Sequence, residues 1–170
     1  MKTITLVCEM VRVNGDRDEL AFLCAVDFFT GEVLITITSR FSGVTPEAMA
    51  AAVAAGQALS GWKSEREALW IYNDTESVLI GHSLNDDLKV LQFIHPKIVD
   101  SAILAAETFS SWRLALAFLN RKIQTGKKGH DCLEDTFATR DVVIWCLRNP
   151  DLLAAGPTMP EPNMKLKNGR

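Results

Sequence analysis

The chain has 170 residues, 48% of them hydrophobic, and a formal net charge of −3. That length suits one domain with a substantial core and is too short to expect two, and the balance of charge excludes a generally basic surface, so any nucleic acid has to be met by a local patch. The chain lacks a run of about eighteen uninterrupted apolar residues, and the Met1-Lys2-Thr3 start lacks a secretory leader; a soluble, intracellular protein without a membrane partner is expected, with nothing to separate nucleus from cytoplasm.

Thr3 to Val13 is dense in β-branched residues, and Glu19 to Phe29 follows it across the polar Asn14-Gly15-Asp16, which predicts two strands joined by a turn. Thr30-Gly31-Glu32 then leads into Val33 to Thr38, completing an antiparallel meander of three strands. Thr45-Pro46-Glu47 supplies a capping hydroxyl and a first-turn proline, so the alanine-rich run to Leu59 is expected to be a helix that Ser60-Gly61 ends, with a second helix over Ser64 to Tyr72. Ser77 to Gly81 is a short apolar run between polar flanks, as a buried strand requires, and Leu88, Leu91 and Phe93 give Asn85 to Ile94 a helical spacing. Ile98 to Asp100 is a further short strand, after which Ala102 to Phe109 and Trp112 to Ile123 alternate helix and loop. Phe137, Val143, Ile144 and Leu147 give Thr136 to Leu147 one core-facing side.

Three antiparallel strands followed by strand-helix units define an α/β domain, a mixed sheet flanked by helices, over residues 1 to 150. From Ala155-Gly156-Pro157 onward the composition turns to proline and polar residues, so 151 to 170 is expected to be an extended or disordered tail. Cys8, Cys24, Cys132 and Cys146 sit in apolar runs without Cys-x-x-Cys spacing and are expected to be buried free thiols.

The stretch with the most chemistry is Gly129 to Asp135, where His130 precedes Asp135 by five residues at the start of an apolar helix. A histidine of ordinary pKa, roughly 6.5, accepts a proton near neutrality, and a carboxylate within reach holds a metal whose bound water supplies that proton. The plainer alternative is an N-capping Asp131 beside a solvated histidine and surface acids. Glu9 lies inside the first strand between Cys8 and Met10, where burying a charge is costly unless it is paired or coordinated; the alternative is an edge acid facing water. Asp87 follows the carboxyl end of the Leu79-Ile80-Gly81 strand, the place where open α/β sheets gather ligands, although a first-turn acid is also what a helix dipole favours. Taken together, Glu9, Asp87, His130 and Asp135 are expected to meet at one end of the sheet.

In order and spacing, Leu6 to Val11, Leu79 to Leu91, Val99-Asp100-Ser101 and Gly129-His130 to Asp135 resemble the three motifs of the eukaryotic Rex-type RNA exonucleases, the DEDDh branch of the DnaQ-like, RNase H-fold superfamily. The thirteen residues Leu79 to Leu91 are the most specific part of the likeness, which runs from about Thr3 to Pro150. The resemblance implies an RNase H-like mixed sheet and a two-metal 3′-to-5′ exonuclease using Mg²⁺ or Mn²⁺. Glu9, Asp87 and Asp135 would be metal ligands, His130 the general base for the attacking water, and Met10 and Leu84 apolar residues wedged against the terminal base. The partner it implies is a single-stranded RNA or DNA 3′ end, with RNA the expected substrate and nucleoside monophosphates the products.

Where the family motif reads Asp-x-Glu, this sequence has Val7-Cys8-Glu9. An isopropyl group there removes oxygen ligands and negative charge from a site built to hold two dications, and magnesium accepts no carbon in their place. Two readings follow: an exonuclease strongly impaired as written, or a catalytically inactive relative that keeps the cleft to bind nucleic acid or a protein. Asp86, where relatives commonly carry asparagine, adds an acid nearby, and the connection before Ser42-Gly43-Val44 is short for the family. Arg113, Arg121, Lys122, Lys127 and Lys128 form either a phosphate-binding patch or a solvated face. His82 is expected to hydrogen-bond at a strand end, the four tryptophans to anchor the core, and Arg140 with Asp141 to be exposed charges.

Overall fold

The computed structural model describes residues 1–13, 17–39, 54, 58–59, 62–104, 111–125 and 131–151. The Asn14-Gly15-Asp16 turn, most of the expected helix after Thr45, the Ser42 connection, Lys127, Lys128, His130 and nearly all of the C-terminal tail lie outside these residues. In chain order the elements are β1 (Thr3–Val13), β2 (Arg17–Asp27), β3 (Val33–Ser39), β4 (Ala58–Leu59), α1 (Trp62–Trp70), β5 (Val78–Gly81), α2 (Leu84–Val90), β6 (Ile98–Asp100), α3 (Ser101–Leu104), α4 (Ser111–Leu119) and α5 (Cys132–Arg148). The strands form one mixed sheet in the order β4-β3-β2-β1-β5-β6.

The meander β1-β2-β3 is antiparallel, whereas β1-β5, β5-β6 and β3-β4 are parallel pairs. β1 is therefore central, with an antiparallel half on one side and the strand-helix units on the other. Alternation along β1 divides its side chains between two layers. Ile4, Leu6 and Cys8 join Leu23, Ile35, Ile37, Leu69, Leu79, Leu84 and Leu91 in the main core, while Thr5, Val7 and Glu9 take the opposite face. Between Glu9 and Met10 the register with β2 slips by one residue, so that Glu9 faces Phe22 and Met10 faces Leu20. A bulge of this kind re-aims the side chains beside it, here at the cleft described below.

Local chemistry explains most boundaries. The β2–β3 turn closes on Asp27, whose Oδ1 accepts from the backbone of Phe29 and Thr30 and from the Thr30 hydroxyl; these bonds hold its carboxyl below the usual range. Gly31 there takes φ +75°, which a side chain would strain. α2 stops at Val90, earlier than the expected Ile94, because Gln92 turns left-handed (φ +47°) and a double cap forms, with Phe93 N–H donating to Leu88 O at 2.9 Å and Gln92 N–H to Lys89 O at 3.0 Å. The expected helix to Leu59 is corrected at its end: Ala58–Leu59 pairs with Thr38 and Ser39 as a short strand, since a free sheet edge offers ladder bonds that outweigh alanine's helix propensity.

α5 packs on β1 and β2 and begins where Asp131 caps it, accepting from Leu133 N–H at 3.0 Å and Glu134 N–H at 3.1 Å. Its buried face is Cys132, Asp135, Thr136, Ala138, Thr139, Val142, Val143 and Cys146, while Leu147 is 69% exposed and so falls outside the face expected for it. Arg140 is not a solvated charge either: its guanidinium donates to the carbonyls of Phe28 (2.7 Å) and Phe29 (3.2 Å), tying the helix to the β2–β3 turn. All four cysteines are free and buried. Among the described residues, no helix is long and apolar enough to cross a membrane.

Candidate active site

β5 pairs with β1 only along Thr3, Ile4 and Thr5, so further up β1 the backbone donors on that side have no strand to meet. The Cys8 N–H finds Asp87 instead, whose Oδ1 accepts it at 2.5 Å across 79 residues of sequence. The loop that delivers Asp87 is itself pinned. Gly81 ends β5, Ser83 turns left-handed (φ +53°), and the Asp100 carboxylate at the end of β6 accepts from Ser83 N–H, Leu84 N–H and Ala102 N–H at 2.8–2.9 Å. His82 Nδ1 lies 2.9 Å from Ser101 Oγ, which is the strand-end hydrogen bond expected of it.

On the other side of β1, Cys132 Sγ donates to Val7 O at 3.3 Å and docks the first turn of α5, which brings Asp135 over the strand. The outcome is one cleft of about 210 Å³, lined by Val7, Cys8, Glu9, Met10, His82, Ser83, Asp86, Asp87, Asp135 and Thr139. Thus Glu9, Asp87 and Asp135, dispersed over the chain, share a single cavity at the carboxyl end of β5, and Val7 lines it with them. Leu84 does not line it: its side chain is 0% exposed and sits in the main core, closely packed over Gly81. Of the two residues expected to meet the terminal base, Met10 lines the cleft and Leu84 does not.

The acids of the cleft are already engaged by the protein. Burial pushes the Asp87 carboxyl up to about 7, against the opposing effect of its bond from Cys8 N–H. Asp135 is 3% exposed, and the side-chain amide of Gln124 donates to both of its oxygens, at 2.9 and 2.8 Å. Asp86 is at the rim and pairs with Lys89 at 3.0 Å. Thr139 contributes a hydroxyl without a hydrogen-bond partner among the described residues. Hard dications require several oxygens converging on one point. Although carboxylates are the right chemistry, among the described residues no three histidine, cysteine or acidic side chains are arranged to hold a metal ion. The residues as placed do not fit a pair of dications: one oxygen of Asp87 serves β1, both oxygens of Asp135 serve Gln124, and position 7 offers methyl groups.

Of the basic residues considered for a phosphate patch, Arg121 is committed to Asp141 at 2.9 Å, while Arg113 and Lys122 are exposed. The tryptophans divide: Trp145 packs on Phe118 (4.7 Å between ring centroids), whereas Trp70 is half exposed, with Arg66 4.9 Å above its ring. Gln124 and Arg140 are the two consequential residues that sequence reasoning missed.

No protein-family model matches the chain. RNA exonuclease 3 of Saccharomyces cerevisiae is 36% identical over 154 residues, covering 82% of this chain and 36% of that protein, and RNA exonuclease 3 of Eremothecium gossypii is 38% identical over 154 residues, covering 82% and 38%. The chain belongs to the Rex-type RNA exonuclease family. It spans little more than a third of the length of those two relatives. The putative RNA exonuclease pqe-1 of Caenorhabditis elegans is 31% identical over 172 residues, 90% of this chain and 10% of that one. Among solved structures, the Saccharomyces cerevisiae Pan2 pseudoubiquitin hydrolase-RNA exonuclease module in complex with AAGGA RNA superposes with a TM-score of 0.72 at 20% identity, over 88% of this chain and 29% of that one. The Neurospora crassa Pan2 catalytic unit gives 0.71 at 19%, over 91% and 29%. At such identities the likeness is one of fold, and it places this Rex-type domain among RNase H-like α/β structures.

Proposed function

We propose that this Rex-type domain acts on the 3′ end of single-stranded RNA, and that its hydrolysis of the terminal phosphodiester to a nucleoside monophosphate is strongly impaired by Val7. The observation that supports the reading is the shared cleft: Val7, Glu9, Met10, Asp87 and Asp135 line one cavity although they come from β1, α2 and α5. The names of the relatives, which are RNA exonucleases, point to RNA as the substrate class.

The physical case turns on charge. Glu9, Asp86, Asp87 and Asp135 make the cleft acidic, and an acidic cleft repels a phosphodiester unless cations stand between them. Family members meet that requirement with two dications, which also activate the attacking water. Replacing a carboxylate by an isopropyl group weakens the attraction for those cations while leaving the pocket's shape and its apolar Met10 wall. His130, whose position lies outside the described residues, is the proposed proton acceptor, and Met10 the proposed contact for the terminal base. The loss of one carboxylate is worth several tenfold steps in rate, each step corresponding to about 1.36 kcal/mol of transition-state stabilisation.

The test uses 5′-labelled single-stranded RNA with Mg²⁺ or Mn²⁺, comparing the natural chain with Val7→Asp and with Val7→Asp/His130→Ala. The expected result is slow or undetectable shortening by the natural chain, stepwise shortening by Val7→Asp at least about a hundredfold faster, and loss of that gain in the double variant. A Val7→Asp protein that neither shortens nor binds RNA removes the exonuclease reading and favours a protein-binding role for the cleft.

A further inference from the structure

Two of the four thiols meet where α5 lands on the sheet. Val7 stands opposite Cys24 in the β1–β2 pairing, and Cys24 opposite Thr36 in β2–β3. Residues directly opposite one another share a face, so Cys24 lies with Val7 on the side that α5 covers. Cys132, the first residue of α5, comes down on this row: its Sγ is 3.3 Å from Val7 O, and its thiol is hydrogen-bonded to that of Cys24. Both cysteines are buried, at 2% and 6% exposure. Cys8 joins the main core on the opposite face of β1, and Cys146 packs in a separate cluster with Leu114 and Phe118.

A bond between thiols is weak, since S–H is a poor donor and sulfur a poor acceptor, so it does little to hold a helix on a sheet. The same approach is what a disulfide needs, a bond that forms only between side chains already converging on an S–S distance of about 2.05 Å. The two sulfurs also differ in character. Hydrogen bonds from Cys132 and from the Thr36 hydroxyl draw the Cys24 thiol below its usual range against the effect of burial, while donation to Cys24 and burial hold Cys132 well above it. Cys24 is thus suited to attack and Cys132 to resolve.

The geometry points to a disulfide between Cys24 and Cys132, formed by a hydroperoxide, that clamps the first turn of α5 onto β2. Cys24 Sγ attacks one peroxide oxygen, the O–O bond breaks, and the departing hydroxide leaves as water with the thiol proton, so that Cys24 becomes a sulfenic acid. Cys132 Sγ then attacks that sulfur, the S–O bond breaks, and the hydroxyl leaves as a second water with the Cys132 proton. Two thiols have given two electrons to one peroxide. Opening of the helix end, where local stability is lowest, admits the oxidant to the buried pair. Asp135 follows Cys132 by one turn and lines the cleft, so the clamp fixes that wall of the cavity. It also closes a loop of about 100 residues, which restricts the unfolded chain.

The experiment takes the full chain, purified reduced and freed of reductant, and treats it with hydrogen peroxide. Remaining thiols are alkylated after unfolding and counted by mass, and the unreduced digest is mapped. Alkylated thiols should fall from four to two, with the Cys24 and Cys132 peptides joined and dithiothreitol reversing the change. The oxidised chain should melt about 5 °C or more higher, and its Asp135 and Thr136 amides should exchange at least about tenfold more slowly. Cys132→Ser should stop at the sulfenic acid, which dimedone traps on Cys24. Four thiols that survive peroxide in the folded chain, or joined peptides that contain Cys8 or Cys146, overturn the pairing. A Cys24–Cys132 bond that fails to raise the melting midpoint or to slow those amides overturns the clamp.

Discussion

Glu65 on α1 is 1% exposed, and neither of its carboxylate oxygens has a hydrogen-bond partner among the described residues. Burial, with a smaller contribution from Glu19, pushes its pKa from 4.5 up to about 7. Between those two values the folded protein retains a proton that the unfolded chain has released, so stability declines as the pH rises. The contribution of uncharged Glu65 is whole below the unfolded pKa, shrinks through the interval and is lost as pH passes the folded value. Worked through the two-state linkage, a rise from pH 5 to pH 8 costs about 2.5 kcal/mol through this one group. Glu65→Gln cannot ionise and keeps the side-chain size. Urea unfolding of both proteins at the two pH values gives a double difference in which other titrating groups, Asp87 among them, cancel. The variant should gain about 2 to 3 kcal/mol relative to the natural chain on going from pH 5 to pH 8. A double difference under about 0.5 kcal/mol would show the carboxylate to be solvated or paired, and the reasoning from burial would be wrong.

Arg140→Met should cost about 2 to 3 kcal/mol in urea unfolding, because it strips two carbonyls of the β2–β3 turn of their charged donor while leaving most of the packing. Asp131→Ala should cost about 1 kcal/mol, the ordinary worth of an N-cap, measured the same way. Gly81→Ala would place a methyl carbon 2.6 Å from Leu84 Cδ1, so it should destabilise by about 1 to 3 kcal/mol and displace the α2 entry loop, visible as shifted amide resonances at Ser83 and Leu84.

The architecture was largely legible because its signals are local. β-branched runs split by polar turns gave the three-stranded meander, and a short apolar run ending in Gly81 gave the strand that presents α2. The gathering of Glu9, Asp87 and Asp135 was legible through motif spacing and the rule that ligands collect at strand carboxyl ends. What escaped depends on distant partners. Nothing in the sequence around Gln124 shows that it meets Asp135, since that contact follows from the path of a segment whose left-handed residues, Asn120 and Gln124, carry side chains instead of the glycine that would have flagged them. Arg140 looked like half of a surface charge pair, yet it lies one turn from both Thr136 and Val143 on a buried face, a rhythm that could have given it away. The core position of Leu84 is signalled by Leu88 and Leu91, which follow it at helical intervals and share its cluster.

The bond from the Cys8 amide to Asp87 joins a strand near the start of the chain to a helix that follows β5, the strand paired beside it. Half the cleft is therefore a product of the assembled sheet and not of any contiguous peptide. A piece of this protein ending before α2 would leave a backbone donor of its central strand bare between Val7 and Glu9, and would inherit the motif's letters without its geometry. The same dependence offers a gauge: the exchange rate of one backbone proton, that of Cys8, reads out whether the two halves of the fold have met.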